Sequence, residues 1–130
     1  MFPFADETFD VVFALSVFTH LLPESAINYA KEIARVLKHG GRAFLTFYLM
    51  NEAWRYRVAG GQLLAAEFPY KCERYSVADI HNPEAVVAYE EKDAIKFFVD
   101  AGLQLNELSL GRWSNNDGWT HQDAILAGKP

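Results

Sequence analysis

A single cysteine, Cys72, stands among the 130 residues, so no internal disulfide can form. That suits a reducing, cytoplasmic setting, and nothing around Cys72 in the sequence marks it as a nucleophile rather than a packing residue. Positive charge is also in short supply. Lys and Arg number 12 against 17 Asp and Glu, a formal net charge of −5. The basic residues are scattered, which argues against a nucleic-acid partner held through its phosphates. No apolar stretch is long enough to cross a bilayer, so no membrane partner is expected. The opening MFPFADETFD carries Asp6, Glu7 and Asp10 where a secretory leader needs a basic region. His20, His39, His81 and His121 lack metal-ligand spacing. Glu90, Glu91 and Asp93 interleave with Lys92 and Lys96 as solvated charge at a helix start. No metal is expected. Internal repeats, low-complexity tracts and linkers are missing too.

What is present is apolar and aromatic, 51% and 15% of the residues, enough to bury one core in a single domain over residues 1–130. FDVVFAL (Phe9–Leu15) is nearly continuous in apolar residues, as in a strand buried on both faces of a covered parallel sheet. Pro23 and Glu24 suit a helix's first turn, and Ala26, Ala30, Ile33, Ala34 and Leu37 recur at helical spacing. RAFLTFYL (Arg42–Leu49) reads as a second buried strand. Between them, Gly40-Gly41 poses a choice between a phosphate cradle and a turn. A phosphate loop runs from a strand into a helix whose N-terminus faces the anion. Here the helix comes first, so Gly40-Gly41 is expected as its C-cap and turn, with Lys38 and His39 complementing the dipole. Strand, helix and strand make a βαβ unit with a right-handed crossover.

Beyond it, a helix is expected around Trp54 and Val58, and Phe68–Glu84 is turn-rich and read as irregular. EKDAIKFFVDAGL returns to helical spacing with Gly102 as its stop. Leu103 and Leu105 share one parity and Leu108 and Leu110 the other, which predicts a strand with a bulge. Asn115–Gly118 supplies turn residues before a final strand, QDAILAG.

FPFADETFDVVFALSVFTHL followed by EIARVLKHGGRAFLTF resembles the second half of a class I S-adenosylmethionine-dependent methyltransferase. In that family an entry like Pro3-Phe4 with Phe9-Asp10 leads into the fourth strand. A helix end like Glu32–Gly41 leads into the fifth. Ala101–Leu103 and the closing QDAILAGK are similar to the family's last helix and antiparallel final strand. Asn51–Glu90 corresponds to a variable insertion (51–90). The family's glycine-rich turn after the first strand has no counterpart here, nor has the acidic residue that holds the cofactor's ribose.

The resemblance implies an α/β fold: a partial Rossmann-like methyltransferase sheet, mostly parallel, with an antiparallel C-terminal hairpin and helices packed on it. The implied strand order is Phe9–Leu15, Arg42–Leu49, Gln122–Ala127, Gln104–Arg112. The implied activity is methyl transfer from S-adenosylmethionine to a small-molecule acceptor, by a C-terminal half that binds the cofactor weakly or not at all alone. Leu15, Ser16 and Val17 would lie beside the cofactor's methionine part. His20 could orient or deprotonate an acceptor, or simply bond to backbone. Tyr48, Trp54, Tyr56 and Trp113 could wall an acceptor pocket, or pack as core. SVFT (Ser16–Thr19) stands where nucleobase amino-methyltransferases carry [DN]-P-P-[YF], which argues against DNA adenine. A different class of function is a non-catalytic α/β interaction domain that keeps the half-fold without the cofactor. A flavodoxin-like nucleotide module fits less well, having no anion site. With the neighbouring strand absent, the Phe9–Leu15 edge is expected to pair with a second copy or with the missing N-terminal half, unless residues 51–90 fold over it.

Overall fold

The computed structural model describes residues 1–61, 68–115, 117–118 and 120–130. The chain is α/β. Strand β1 (Phe9–Ala14) leads through a 3-10 turn (Phe18–His20) into α1 (Pro23–Val36), then β2 (Leu37–Phe47), β3 (Leu49–Met50) and α2 (Glu52–Ala59). There follow β4 (Tyr70–Lys71), β5 (Tyr75–Val77), a 3-10 turn (Pro83–Ala85), β6 (Val87–Glu90), α3 (Glu91–Asp100), β7 (Gln104–Ser109) and β8 (Asp123–Gly128). No helix among the described residues is long and apolar enough to cross a membrane.

The larger sheet has the order β1-β2-β8-β7, the order expected from the sequence. Strands β1 and β2 are parallel, and β8 is antiparallel to both its neighbours. Three strands therefore share one direction and β8 alone opposes them. The bulge expected in β7 falls between Leu105 and Glu107, where the register against β8 shifts. Helix α1 starts at Pro23 and buries Ala26, Ala30, Ile33 and Ala34. Its small alanines let it lie close to the sheet, and α3 packs beside it. Ile33, Leu37, Leu45 and Ile125 are all but fully buried in this layer, each worth about 2 kcal/mol.

Three expectations need correction here. Helix α1 ends at Val36, not at the glycines, because Leu37 already pairs with Phe9 in the sheet. Gly40, at φ +77°, sits inside β2 where the β1 register jumps, and its N–H bonds the Lys129 carbonyl. Lys38 pairs with Asp10 and His39 with Glu7 instead of capping the helix. Second, β1 is not buried on both faces. Val12 packs against the core, whereas Val11, Phe13 and Leu15 are exposed, Phe13 to 69%. Third, Phe68–Glu84 is not merely irregular. It supplies β4 and β5 to a smaller sheet ordered β3-β6-β5-β4. The chain crosses from one sheet to the other at Tyr48, whose carbonyl accepts from the Tyr89 N–H.

The smaller sheet meets the rest of the fold around the first 3-10 turn and α3, and does not reach the outer edge of β1. Among the described strands β1 is hydrogen-bonded to β2 alone, so no described strand of residues 51–90 pairs with that edge.

Candidate functional site

Past the C-terminal end of β1 the backbone turns sharply at Ser16, which takes φ +56°. A serine in the left-handed region costs about 1–3 kcal/mol and persists only when its surroundings fix it. Here they do. The Ser16 N–H donates to Thr46 Oγ1 at 2.8 Å, and its carbonyl accepts from Thr19 Oγ1 at 3.1 Å. Gln122 Nε2 donates to Ser16 Oγ at 3.0 Å. Three segments of the chain thus hold one strained residue at the mouth of the parallel pair. Leu15, beside it, is 58% exposed, and Val17 is half-buried against the core. The sequence brought Leu15, Ser16 and Val17 forward, but not Thr46, Thr19 or Gln122.

His20 closes the 3-10 turn and is exposed. Its Nδ1 lies 3.1 Å from the Glu84 carbonyl. A carbonyl only accepts, so Nδ1 is the donor in this contact.

Of the four aromatic candidates the structure gathers three. Tyr48 and Trp113 meet edge to face at 4.9 Å, and Trp54 stacks on Trp113 at 6.1 Å. Phe68 closes the group against Trp113. Trp113 is fully buried and Trp54 is 8% exposed, so these two form a second core, with the half-buried Tyr48 at its rim. Tyr56 stands apart on α2, 83% exposed. The cluster adjoins the Ser16 turn through neighbours in sequence: Tyr48 follows Thr46 by two residues, and its ring meets His121, which precedes Gln122.

Beneath the aromatics lies Asp123, fully buried at the start of β8. One carboxylate oxygen accepts from the Gly111 N–H at 2.8 Å. The other accepts from the Leu49 N–H at 3.0 Å and from Ser114 Oγ at 2.7 Å. Asn51 Nδ2 donates to Ser114 Oγ, and Asn51 Oδ1 caps α2 at the Trp54 N–H. Burial outweighs these donors and pushes the Asp123 carboxyl up to about 6, with Glu91 adding a like charge. Asp123 therefore fixes the crossing between the sheets and the hairpin that carries Trp113. Its signal in the sequence was an acidic residue opening an otherwise apolar strand.

The family described as a methyltransferase domain matches residues 1–45, which span β1, α1 and most of β2. The chain is 34% identical over 67 residues to the tRNA N(3)-cytidine methyltransferase METTL2 of Gallus gallus, covering 52% of this chain and 18% of that protein. Its structure is similar to that of a SAM-dependent methyltransferase from Methanosarcina mazei, with a TM-score of 0.67, 24% identity, and coverage of 99% of this chain and 63% of the other. It is also similar to the 1,6-didemethyltoxoflavin-N1-methyltransferase of Burkholderia thailandensis, solved with 1,6-didemethyltoxoflavin and S-adenosylhomocysteine bound. There the TM-score is 0.62 at 14% identity, over 98% of this chain and 46% of the other. The chain spans less than two thirds of each of these proteins. Each of these comparisons is with a methyltransferase, and the solved structures share this chain's α/β fold.

Proposed function

We propose that this chain serves methyl transfer from S-adenosylmethionine to a small-molecule acceptor, as the C-terminal half of the fold and incomplete by itself. The observation that carries the reading is Ser16, held in a strained conformation at the end of β1 in a fold similar to that of the methyltransferase neighbours. The site suits the cofactor's methionine end: Leu15 offers exposed apolar surface, and Ser16 brings polar groups, its N–H fixed by Thr46 and its hydroxyl by Gln122. When bound, the cofactor supplies a methyl group activated on sulfur. Leu15, Ser16 and Val17 hold its methionine part, and the rigid turn contributes orientation. His20, exposed just beyond this turn with Nδ1 held by the Glu84 carbonyl, takes a proton from an acceptor that must lose one. Tyr48, at the rim of the aromatic group, offers a π face to the acceptor side. Trp54 and Trp113 support it from within, and Tyr56 reaches the acceptor only from the surface of α2.

The outer edge of β1 and the exposed Val11, Phe13 and Leu15 form the surface to which a second copy, or the rest of the fold, attaches. The same surface favours the second reading, an interaction domain without catalysis. A tRNA acceptor, which METTL2 is named for, suits the net charge of −5 poorly.

Titration with S-adenosylhomocysteine tests the reading. At millimolar ligand the backbone amide resonances of Leu15, Ser16, Val17 and Thr46 are expected to shift. Calorimetry is expected to find no micromolar binding, since losing several hydrogen bonds of about 1 kcal/mol or more each removes orders of magnitude in affinity. Shifts that avoid Leu15–Val17 would overturn the site, and low-micromolar affinity would overturn the incompleteness.

A further inference from the structure

A cavity of about 280 Å³ lies between α2 and the smaller sheet and shares no lining residue with the Ser16 turn. Met50, Val58 and Ala59 give it an apolar wall. Arg55 and Lys71 bring positive charge, and Glu90, the one carboxylate among its described lining residues, is already paired with Arg55. Two donors in this lining lack acceptors. The Trp54 indole N–H is buried and has no hydrogen-bond partner. Ser76 also lines the cavity, and its hydroxyl, which is not among the buried unpartnered atoms, makes no hydrogen bond among the described residues. A buried donor without an acceptor is a standing cost in free energy, and native proteins keep few of them. A water could satisfy the donors, but it would leave the net positive charge and the apolar wall without a counterpart.

We propose that this cavity binds the carboxylate group of a small, largely apolar organic acid. The carboxylate accepts from Trp54 Nε1–H and Ser76 Oγ–H while Lys71 and the Arg55–Glu90 pair balance its charge. The hydrocarbon end lies against Met50, Val58 and Ala59. The excess of donors over acceptors selects an anion, and the apolar wall selects an organic one over inorganic phosphate. The site shares Trp54 with the aromatic group on the proposed acceptor side, but binding of an organic acid there needs neither the cofactor nor the methyl-transfer reading.

Benzoate is the probe, and the Trp54 indole N–H resonance, assigned by its disappearance in Trp54→Phe, is the readout. The expected result is a saturable downfield movement of that resonance at low-millimolar benzoate. Ser76→Ala and Lys71→Gln are each expected to weaken binding about three- to tenfold, the effect of one lost charge-assisted contact. Lys71 is exposed, so its variant tests the charge without threatening the fold. Calorimetry on Trp54→Phe, with its fold checked by circular dichroism, is expected to show a loss of tenfold or more. Phosphate at equal ionic strength is expected to leave the resonance in place. The proposal is overturned if the resonance does not saturate, if it moves equally with phosphate, or if Ser76→Ala and Lys71→Gln leave the affinity unchanged.

Discussion

Replacing Asp123 with Asn removes an ionisable group from the interior while keeping its shape, and the consequence follows from its shifted titration. Asp123 titrates at about 6 in the folded protein, against 3.8 when exposed. Between those values the folded chain holds a proton that the unfolded chain has released. Stability from this group is therefore greatest below about 4, falls as pH rises through the window, and is least above about 6. The gap is roughly two pH units, or about 3 kcal/mol. Wild type should gain about that much over Asp123→Asn as pH is lowered from 7.5 to 4. Urea unfolding at half-unit pH steps measures it, with unchanged m-values confirming that only stability has moved. Glu32 acts in the opposite sense. The Arg35 guanidinium and the Phe2 N–H hold its carboxyl down at about 2, so its contribution is present above 4.5 and lost as pH falls toward 2. Both proteins carry Glu32, so it cancels in the comparison. Stability curves that run parallel within about 0.5 kcal/mol, or a variant that gains on wild type at low pH, would refute the reasoning.

Other consequences follow from particular contacts. Arg35 donates to the carbonyls of Phe2 and Phe4 and pairs with Glu32 and Asp6. Arg35→Gln should therefore free the N-terminal segment and speed exchange of the Phe2 amide about tenfold or more, read by hydrogen exchange. A Cβ at Gly111 would sit 2.2 Å from the Gln122 carbonyl oxygen, so Gly111→Ala should destabilise by about 3 kcal/mol or more, seen as a lowered urea midpoint. Phe13 lies on the open face while Val12 packs inward. Phe13→Lys should therefore abolish self-association in sedimentation without lowering the unfolding midpoint, whereas Val12→Lys should lower the midpoint itself.

The strands and helices that were legible carried long periodic signals. The fourteen residues of α1 and the parity change between Leu105 and Leu108 are patterns that local sequence can hold. The smaller sheet was not legible because β4 and β5 have two and three residues, shorter than any window in which alternation can be seen. The end of α1 was misread for a different reason. Lys38-His39-Gly40-Gly41 has the composition of a helix stop, but pairing with Phe9 and the bond from Gly40 to Lys129 are made by distant residues, and these override local preference. At the candidate site, Leu15–Val17 came forward through the family resemblance. Two of the three groups that hold Ser16, on Thr46 and Gln122, stand 30 and 106 residues away, beyond what spacing along the chain reveals.

The position of β8 bears on how the chain reaches its native state. It lies between β2 and β7, pairing residues 123–128 with residues 42–47 on one side and 104–109 on the other. Until those last residues are in place, β2 keeps only β1, and β7 has no strand to join. The parallel β1–β2 pair must therefore wait with its inner edge unmatched while about 80 further residues are made, at some seconds of synthesis. Pairings so distant in sequence are slow to close. During that interval the aromatic strand Arg42–Phe47 is exposed to other chains along both its length and one face. Aggregation during expression should accordingly depend on how soon the C-terminal strand arrives, more than on the stability of the finished fold.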